Sequence, residues 1–280
     1  MNISSVTPVV AGVSGSTASL HAVEAAAREA DAAGHPLLLV HALSYRPDVL
    51  DQPRAAGDLL RQAEAIADRT VSGLRVTTEL VEGHALNGLL RLSRHAALTV
   101  IGDGGLNDRV CLPRESTAVQ VAARAFGTVM VTRALLAPYG PVLVGVTGAD
   151  IADPVLDYAF EAAARRRTGL VVVQVGGTRD RTRALRDAIA ARASDDEVDA
   201  KLRALNGDPT TVLREEARQA SLIVVGARGE LPYHGLLGSV AQTLLHHGRA
   251  PVVVVRGTRS VAQRTDQTGA PTALTARATS

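Results

Sequence analysis

Pro8-Val9-Val10-Ala11-Gly12-Val13-Ser14-Gly15 returns further down the chain as Pro141-Val142-Leu143-Val144-Gly145-Val146-Thr147-Gly148. Each is a β-branched apolar run that ends in a glycine turn, the signature of a short buried strand. Four more segments repeat in the same order. Leu37-Leu38-Leu39-Val40-His41 matches Leu170-Val171-Val172-Val173-Gln174, and Glu82-Gly83-His84-Ala85 matches Asn206-Gly207-Asp208-Pro209. Thr99-Val100-Ile101-Gly102 matches Ile223-Val224-Val225-Gly226, and Val129-Met130-Val131-Thr132-Arg133 matches Val252-Val253-Val254-Val255-Arg256. A collinear repeat with a period of about 130 residues is a tandem duplication of one folding unit.

Between the strands lie helical stretches. Residues 18–33 and 154–167 are rich in alanine, the strongest helix former, and Leu20, Val23, Ala26, Ala27 and Ala30 fall at helical spacing. Residues 86–94 and 211–219 read as further helices, with Asp208-Pro209 as a start signal for the second. Strands alternating with helices predict right-handed βαβ units, and strands that stay apolar without alternation predict a parallel sheet covered on both faces. The expected fold is therefore α/β, two tandem open parallel-sheet domains over residues 1–137 and 138–257, followed by a disordered tail over 258–280. Ligands in such sheets sit beyond the C-terminal strand ends. That directs attention to residues 14–16, 41–43 and 102–105 in the first half, and to 147–149, 174–176 and 226–229 in the second.

Composition narrows the function. The chain has 280 residues, 46% of them hydrophobic, and a formal net charge of +2. The tail carries Arg259, Arg264 and Arg277 against Asp266, which accounts for the whole surplus. The rest is balanced, so no nucleic-acid face is expected. Aromatics make up 2%, too few for stacking platforms on single strands. A single cysteine, Cys111, excludes an internal disulfide framework and a cysteine-rich metal site. No apolar run approaches the roughly 20 residues of a membrane span, and no secretory leader is visible, so a cytoplasmic protein is expected.

The loop that follows Leu222-Ile223-Val224-Val225-Gly226 carries the most chemistry. It contains Ala227-Arg228-Gly229-Glu230, then Tyr233-His234-Gly235, and Gly238-Ser239 opens the next helix. Glycines let backbone N–H groups approach a ligand, and a helix N-terminus adds unpaired donors and positive potential. Together they suit a phosphate, with Ser239 as a hydroxyl donor and Arg228 as a cation. The Gly-Lys-Ser/Thr of a P-loop is absent.

On these residues the chain resembles the universal stress protein family in its tandem two-domain form. The resemblance implies a Gly-x2-Gly-x9-Gly-Ser/Thr pattern that holds ATP phosphates. The second half reads Gly226-x2-Gly229-x8-Gly238-Ser239, one residue short, and the first reads Gly102-x2-Gly105-x9-Glu115-Ser116. The nucleotide-binding branch has Asp-Gly-Ser after the first strand, whereas this chain has Ser14-Gly15-Ser16 and Thr147-Gly148-Ala149. Glu115, with Asp103 and Asp108 near it in sequence, would repel a phosphate. No ATP is therefore predicted in the first domain unless a metal ion bridges. The second domain is the predicted ATP site, with magnesium a candidate companion of the nucleotide, through Thr147, Gly148, Gln174, Val175, Gly226, Arg228, Gly229, Gly238 and Ser239. The resemblance also implies a role in stress response, pseudo-symmetric pairing of the two domains, and dimers through the last strands.

Other residues read as structural. His41 and His84 are expected to be satisfied structural histidines, His246 and His247 point too far apart to share a metal, and Arg165-Arg166-Arg167 suits a helix C-terminus. Ser116 and Ser239 could each serve as a helix N-cap. No nucleophile, base and orienting acid assemble, so the protein is not expected to be an enzyme. Two alternatives stay open. One is a scaffold whose sites have decayed. The other is a slow ATPase, with Glu230 the only carboxylate near Ser239 in sequence.

Overall fold

The computed structural model describes residues 7–43, 52–104, 116–133, 139–147, 153–227 and 237–256. Cys111, Glu115, Gly148, Arg228, Gly229, Glu230, Tyr233, His234 and the tail lie outside these residues. The first half runs β1 (Val9–Gly12), α1 (Thr17–Ala32), β2 (Leu37–Leu43), α2 (Gln52–Thr70), β3 (Val76–Glu82), α3 (Ala85–Leu92), β4 (Leu98–Gly102), α4 (Thr117–Arg124) and β5 (Val129–Thr132). The second repeats it as β6 (Val142–Thr147), α5 (Asp153–Arg166), β7 (Leu170–Val175), α6 (Arg179–Asp196), β8 (Ala200–Leu205), α7 (Pro209–Glu216), β9 (Leu222–Gly226), α8 (Ser239–His247) and β10 (Val252–Val255). A short 3-10 turn, Ala217–Gln219, follows α7.

The α/β expectation holds, and the helix ends shift by one or two residues. The helix expected over 86–94 is Ala85–Leu92, and the one expected over 211–219 starts at Pro209 and tightens into the 3-10 turn. Asp208 is the N-cap of α7, accepting from the Thr211 amide at 2.8 Å, with proline in the first turn. Proline is tolerated there because its missing N–H would have no helical partner.

The ten strands of the described residues form one sheet in the order β3-β2-β1-β4-β5-β10-β9-β6-β7-β8. Every neighbour pair is parallel except β5 and β10, where Val131, Met130 and Val129 face Val252, Val253 and Val254 in antiparallel register. The pairing of the two halves is thus made by their last strands, inside one chain. Dimers through these strands, implied by the resemblance, have no hydrogen-bonding edge to use: β5 already lies between β4 and β10, and β10 between β5 and β9.

Both faces are covered. Under α1, α2, α5 and α6 lie Val9, Ala11, Leu37, Leu39, Val142, Val144, Leu170 and Val172. Under α3, α4, α7 and α8 lie Val10, Val40, Ile101, Leu143, Val173, Val225 and Val254. Strand alternation assigns successive residues to opposite faces. The alanines of α1 (Ala22, Ala26, Ala27 and Ala30, all fully buried) let that helix lie close to the sheet. Its first turn meets the end of β4, where a Cβ on Gly102 would stand 2.5 Å from the Ala18 carbonyl oxygen.

Two reciprocal contacts stitch the halves. Arg133, after β5, donates to the carbonyls of Leu244 (3.1 Å) and Leu245 at the end of α8. Arg256, after β10, donates to the Ala122 carbonyl in α4 at 2.8 Å. Each half's final arginine therefore caps the other half's final helix, where a cation meets the last-turn carbonyls and the negative end of the dipole. On the opposite face, Glu29 of α1 is buried and pairs with Arg166 and with Arg165 (3.9 Å) of α5. The arginines that close α5 thus also hold a carboxylate of the first half. No helix among the described residues is long and apolar enough to cross a membrane.

Candidate functional site

The C-terminal ends of the central strands place the predicted residues. In the second half Thr147 and Val175 are register neighbours on β6 and β7. Gly226 ends β9 beside Val255. The Gly238 amide donates to the Ala227 carbonyl at 3.1 Å, so the loop between β9 and α8 is closed at its base. Gly238 is the N-cap of α8 and Ser239 its first helical residue. The role of N-cap considered for Ser239 falls to Gly238, which has no side chain to accept from the first turn. In the first half the matching helix α4 is capped by Ser116, whose oxygen accepts from Val119 at 3.2 Å. The two copies thus differ at the helix start facing the loop.

Gln174 is placed differently from the rest. It alternates with Leu170 and Val172 on the face packed by α5 and α6, while α8 lies on the other face with Val173 and Val175. The amide is buried, its Oε1 has no partner, and the Gly177 turn folds over it so closely that a Cβ there would come within 2.8 Å of Nε2. The structure brings together Thr147, Val175, Gly226, Gly238 and Ser239 at one end of the sheet, and directs the Gln174 side chain away from α8. Gly148, Arg228 and Gly229 belong to residues outside the description.

In the first half the equivalent strand ends enclose a cavity of about 200 Å³. Its walls include Val40, Val81, Leu89 and Ile101, with Gly12 and Gly88 contributing backbone. Ser14, Ser16, Ser19, Ser116, Thr117 and Asp103 supply the polar groups. The serines brace one another: Ser16 caps α1 by accepting from Ser19 at 3.2 Å, Ser14 Oγ lies 3.1 Å from Ser16 Oγ, and the Ser14 amide donates to Ser19 Oγ at 3.2 Å. His41 is held through Nδ1 to the Val13 carbonyl at 2.8 Å, the structural histidine expected. Asp103 is buried, and the β4–β5 register sets it beside Arg133, whose guanidinium is pushed below its usual range by burial while Asp103 opposes the shift. The strand-end positions 14–16, 41–43 and 102–105 expected from the sequence contribute Ser14, Ser16, Ala42, Gly102, Asp103 and Gly104 to this lining. A further signal in the sequence is Gly88, a helix-weakening residue in the interior of α3.

Comparison with known proteins agrees with this architecture. The model of the universal stress protein family matches residues 6–133 and again 138–256. A universal stress protein of Mycolicibacterium smegmatis is 30% identical over 283 residues, covering 89% of this chain and 96% of that protein. The universal stress protein Rv1996 of Mycobacterium tuberculosis is 28% identical over 302 residues, with 89% and 94% covered. Among solved structures, a universal stress protein from Archaeoglobus fulgidus superposes with a TM-score of 0.75 at 16% identity, covering 90% of this chain and 99% of that one. The chain belongs to the universal stress protein family. Its two family repeats are the two halves of the sheet.

Proposed function

We propose that this universal stress protein acts in stress response by binding ATP in its second half, without catalysing a reaction on it. The observation that carries the reading is the start of α8. Its N-cap is a glycine, so no side chain of that residue competes for the first-turn amides, and the loop is anchored at its base by the Gly238–Ala227 hydrogen bond. Free amides at a helix N-terminus favour a phosphate. Ser239 and Arg228 would add a hydroxyl and a cation, and Thr147 and Val175 stand at the neighbouring strand ends. Magnesium would enter bound to the triphosphate, where it neutralises charge.

Calorimetry of the purified chain with ATP and AMP tests this. ATP is expected to bind, and Gly238→Glu, which puts a carboxylate where the phosphate would lie, is expected to remove binding. Binding that survives the substitution refutes the site. A phosphate-release rate above that of Ser239→Ala would refute the non-catalytic reading. The absence of a carboxylate at Ser14 and Thr147 favours a second reading, a scaffold with no nucleotide, which a parent protein inert to both nucleotides would establish.

A further inference from the structure

The sheet ends at two unlike edges, β3 in the first half and β8 in the second. We infer that the β8 edge docks the β3 edge of a second copy of this chain, head to tail, so that the sheet continues from one molecule into the next. This goes beyond the nucleotide reading and does not depend on it.

Both edges carry backbone groups that their neighbouring strands do not use. The Leu37 amide donates to the Arg75 carbonyl at 2.9 Å and the Gly83 amide to Leu43 at 3.0 Å, which fixes the residues of β3 that bond to β2. The Leu170 amide donates to Asp199 and the Gly176 amide to Leu205, both at 2.9 Å, which fixes those of β8 that bond to β7. Alternate residues bond to a given neighbour, so the N–H and C=O groups of Thr78, Leu80, Leu202 and Ala204 point out of the sheet. Leu80 is 43% exposed there. The single antiparallel step, at β5 and β10, leaves β3 and β8 running in opposite directions. A copy placed beside another in the same orientation therefore offers an antiparallel partner.

Charge identifies the occupant. Helices α2 and α6 flank the two edges on one face of the sheet. In α6, Arg192 pairs with Asp157 of α5 at 2.7 Å, which marks the side turned towards α5. Arg179, Arg183 and Arg186 lie about 120–180° round the helix from it, exposed beside β8. In α2, Leu59 lies against the turn at Gly15 that precedes α1. Glu64 and Asp68 lie about 140–180° round from Leu59, exposed beside β3, and Glu82 is exposed on β3 itself. Arg61, on the same stripe of α2, is already tied to Asp58. Asp180 and Asp187 turn further towards solvent than the arginine stripe, and Arg75 stands just before β3. One end of the molecule is thus basic and the other acidic along matching helices. Head-to-tail docking sets Arg183 and Arg186 of one copy against Glu64 and Asp68 of the next. An antiparallel two-fold pairing of β3 with β3, or of β8 with β8, would set like charges together. Charged edges ordinarily block strand addition, and here the block acts only between like ends. Such a contact does not close on itself, so association continues past two copies.

Sedimentation velocity of the full chain tests this, with two charge-reversed variants. One carries Glu64→Arg and Asp68→Arg, the other Arg183→Glu and Arg186→Glu. At about 10 mM salt, where screening is weak, the parent is expected to form species larger than two copies as its concentration rises towards about 1 mM. About 0.5 M salt should weaken that association at least about tenfold. Each variant alone has two ends of like charge and should sediment as single copies. Mixed in equal amounts they should assemble to within about threefold of the parent, which also shows that both are folded. Thr78→Pro removes an outward N–H while leaving the β2 ladder intact, and should abolish association with little change in melting temperature. The inference is overturned if the parent stays a single copy or stops at two, or if its association is indifferent to salt. It is equally overturned if either variant alone associates like the parent, if the mixture fails to assemble, or if Thr78→Pro associates undiminished.

Discussion

Gly102 and Gly226 occupy the same position of the repeat and do different things. At Gly102 a methyl group would sit 2.5 Å from the Ala18 carbonyl oxygen, a backbone atom that cannot swing away; at Gly226 it would lie 3.5 Å from a Val155 methyl, an ordinary contact. Gly102→Ala should therefore cost about 1–3 kcal/mol, as overpacking does. Gly226→Ala should stay within about 0.5 kcal/mol. Urea denaturation of the two variants compares them, and equal costs would contradict the argument. Asp208 offers a pH test. The Thr210 hydroxyl, followed by the Thr211 amide, holds its carboxyl below the usual range. A lowered carboxyl contributes stability above the pKa of the unfolded chain, about 3.9, and loses it as pH falls through the folded value. The melting-temperature difference between the parent and Asp208→Asn should be constant above about pH 5 and shrink towards pH 2. A difference unchanged at low pH would show that the charge contributes nothing.

At the scale of the element, two arginine caps tie each half to the other's last helix. Arg133 reaches the end of α8 and Arg256 the end of α4, each across the β5–β10 seam. Both guanidinium groups have their pKa lowered by burial, which makes their carbonyl partners obligatory. Hydrogen bonds from a charged donor contribute about 1.5–3 kcal/mol. Arg133→Ala and Arg256→Ala should each destabilise by that amount in denaturant titrations, and the double variant should be additive within about 0.5 kcal/mol. The helix starts are less symmetric. Ser116→Ala removes a side-chain cap and should cost about 1 kcal/mol. Ser239→Ala, at a residue that caps nothing, should leave stability within about 0.5 kcal/mol and act only on ligand binding. Thermal melts of both variants decide this.

At the scale of the whole molecule, β5 and β10 make one sheet of two repeats. A fragment of residues 1–137 would expose the edge of β5, with Val129, Met130 and Val131 unpaired, and such an edge recruits another strand. That fragment should self-associate in sedimentation experiments, and adding residues 138–280 should return it to a one-to-one complex. A monomeric fragment would show that the seam is dispensable.

The duplication, the order of strands and helices, and the glycine that ends each fourth strand were legible in the residues because they depend on neighbours in the chain: alternation, helix propensity and turn chemistry all act within about ten positions. Asp208-Pro209 marked the start of α7 for the same reason. The site was only half legible. Gly238 and Ser239 announced a helix start, but which of them would cap it depends on where the loop closes, and that is set by the Ala227 carbonyl. Gln174 sat at the right strand end, yet strand alternation turned its amide to the face opposite α8. Arg133, Arg256 and the Glu29 pairing had no sequence signal, because each meets its partner across the two halves. The cavity was signalled in part, by the strand ends at 14–16, 41–43 and 102–105 and by Gly88. Its apolar walls come from β2, β3, α3 and β4, and only folding brings a glycine of one helix, the valines of two strands and a buried carboxylate around one empty volume.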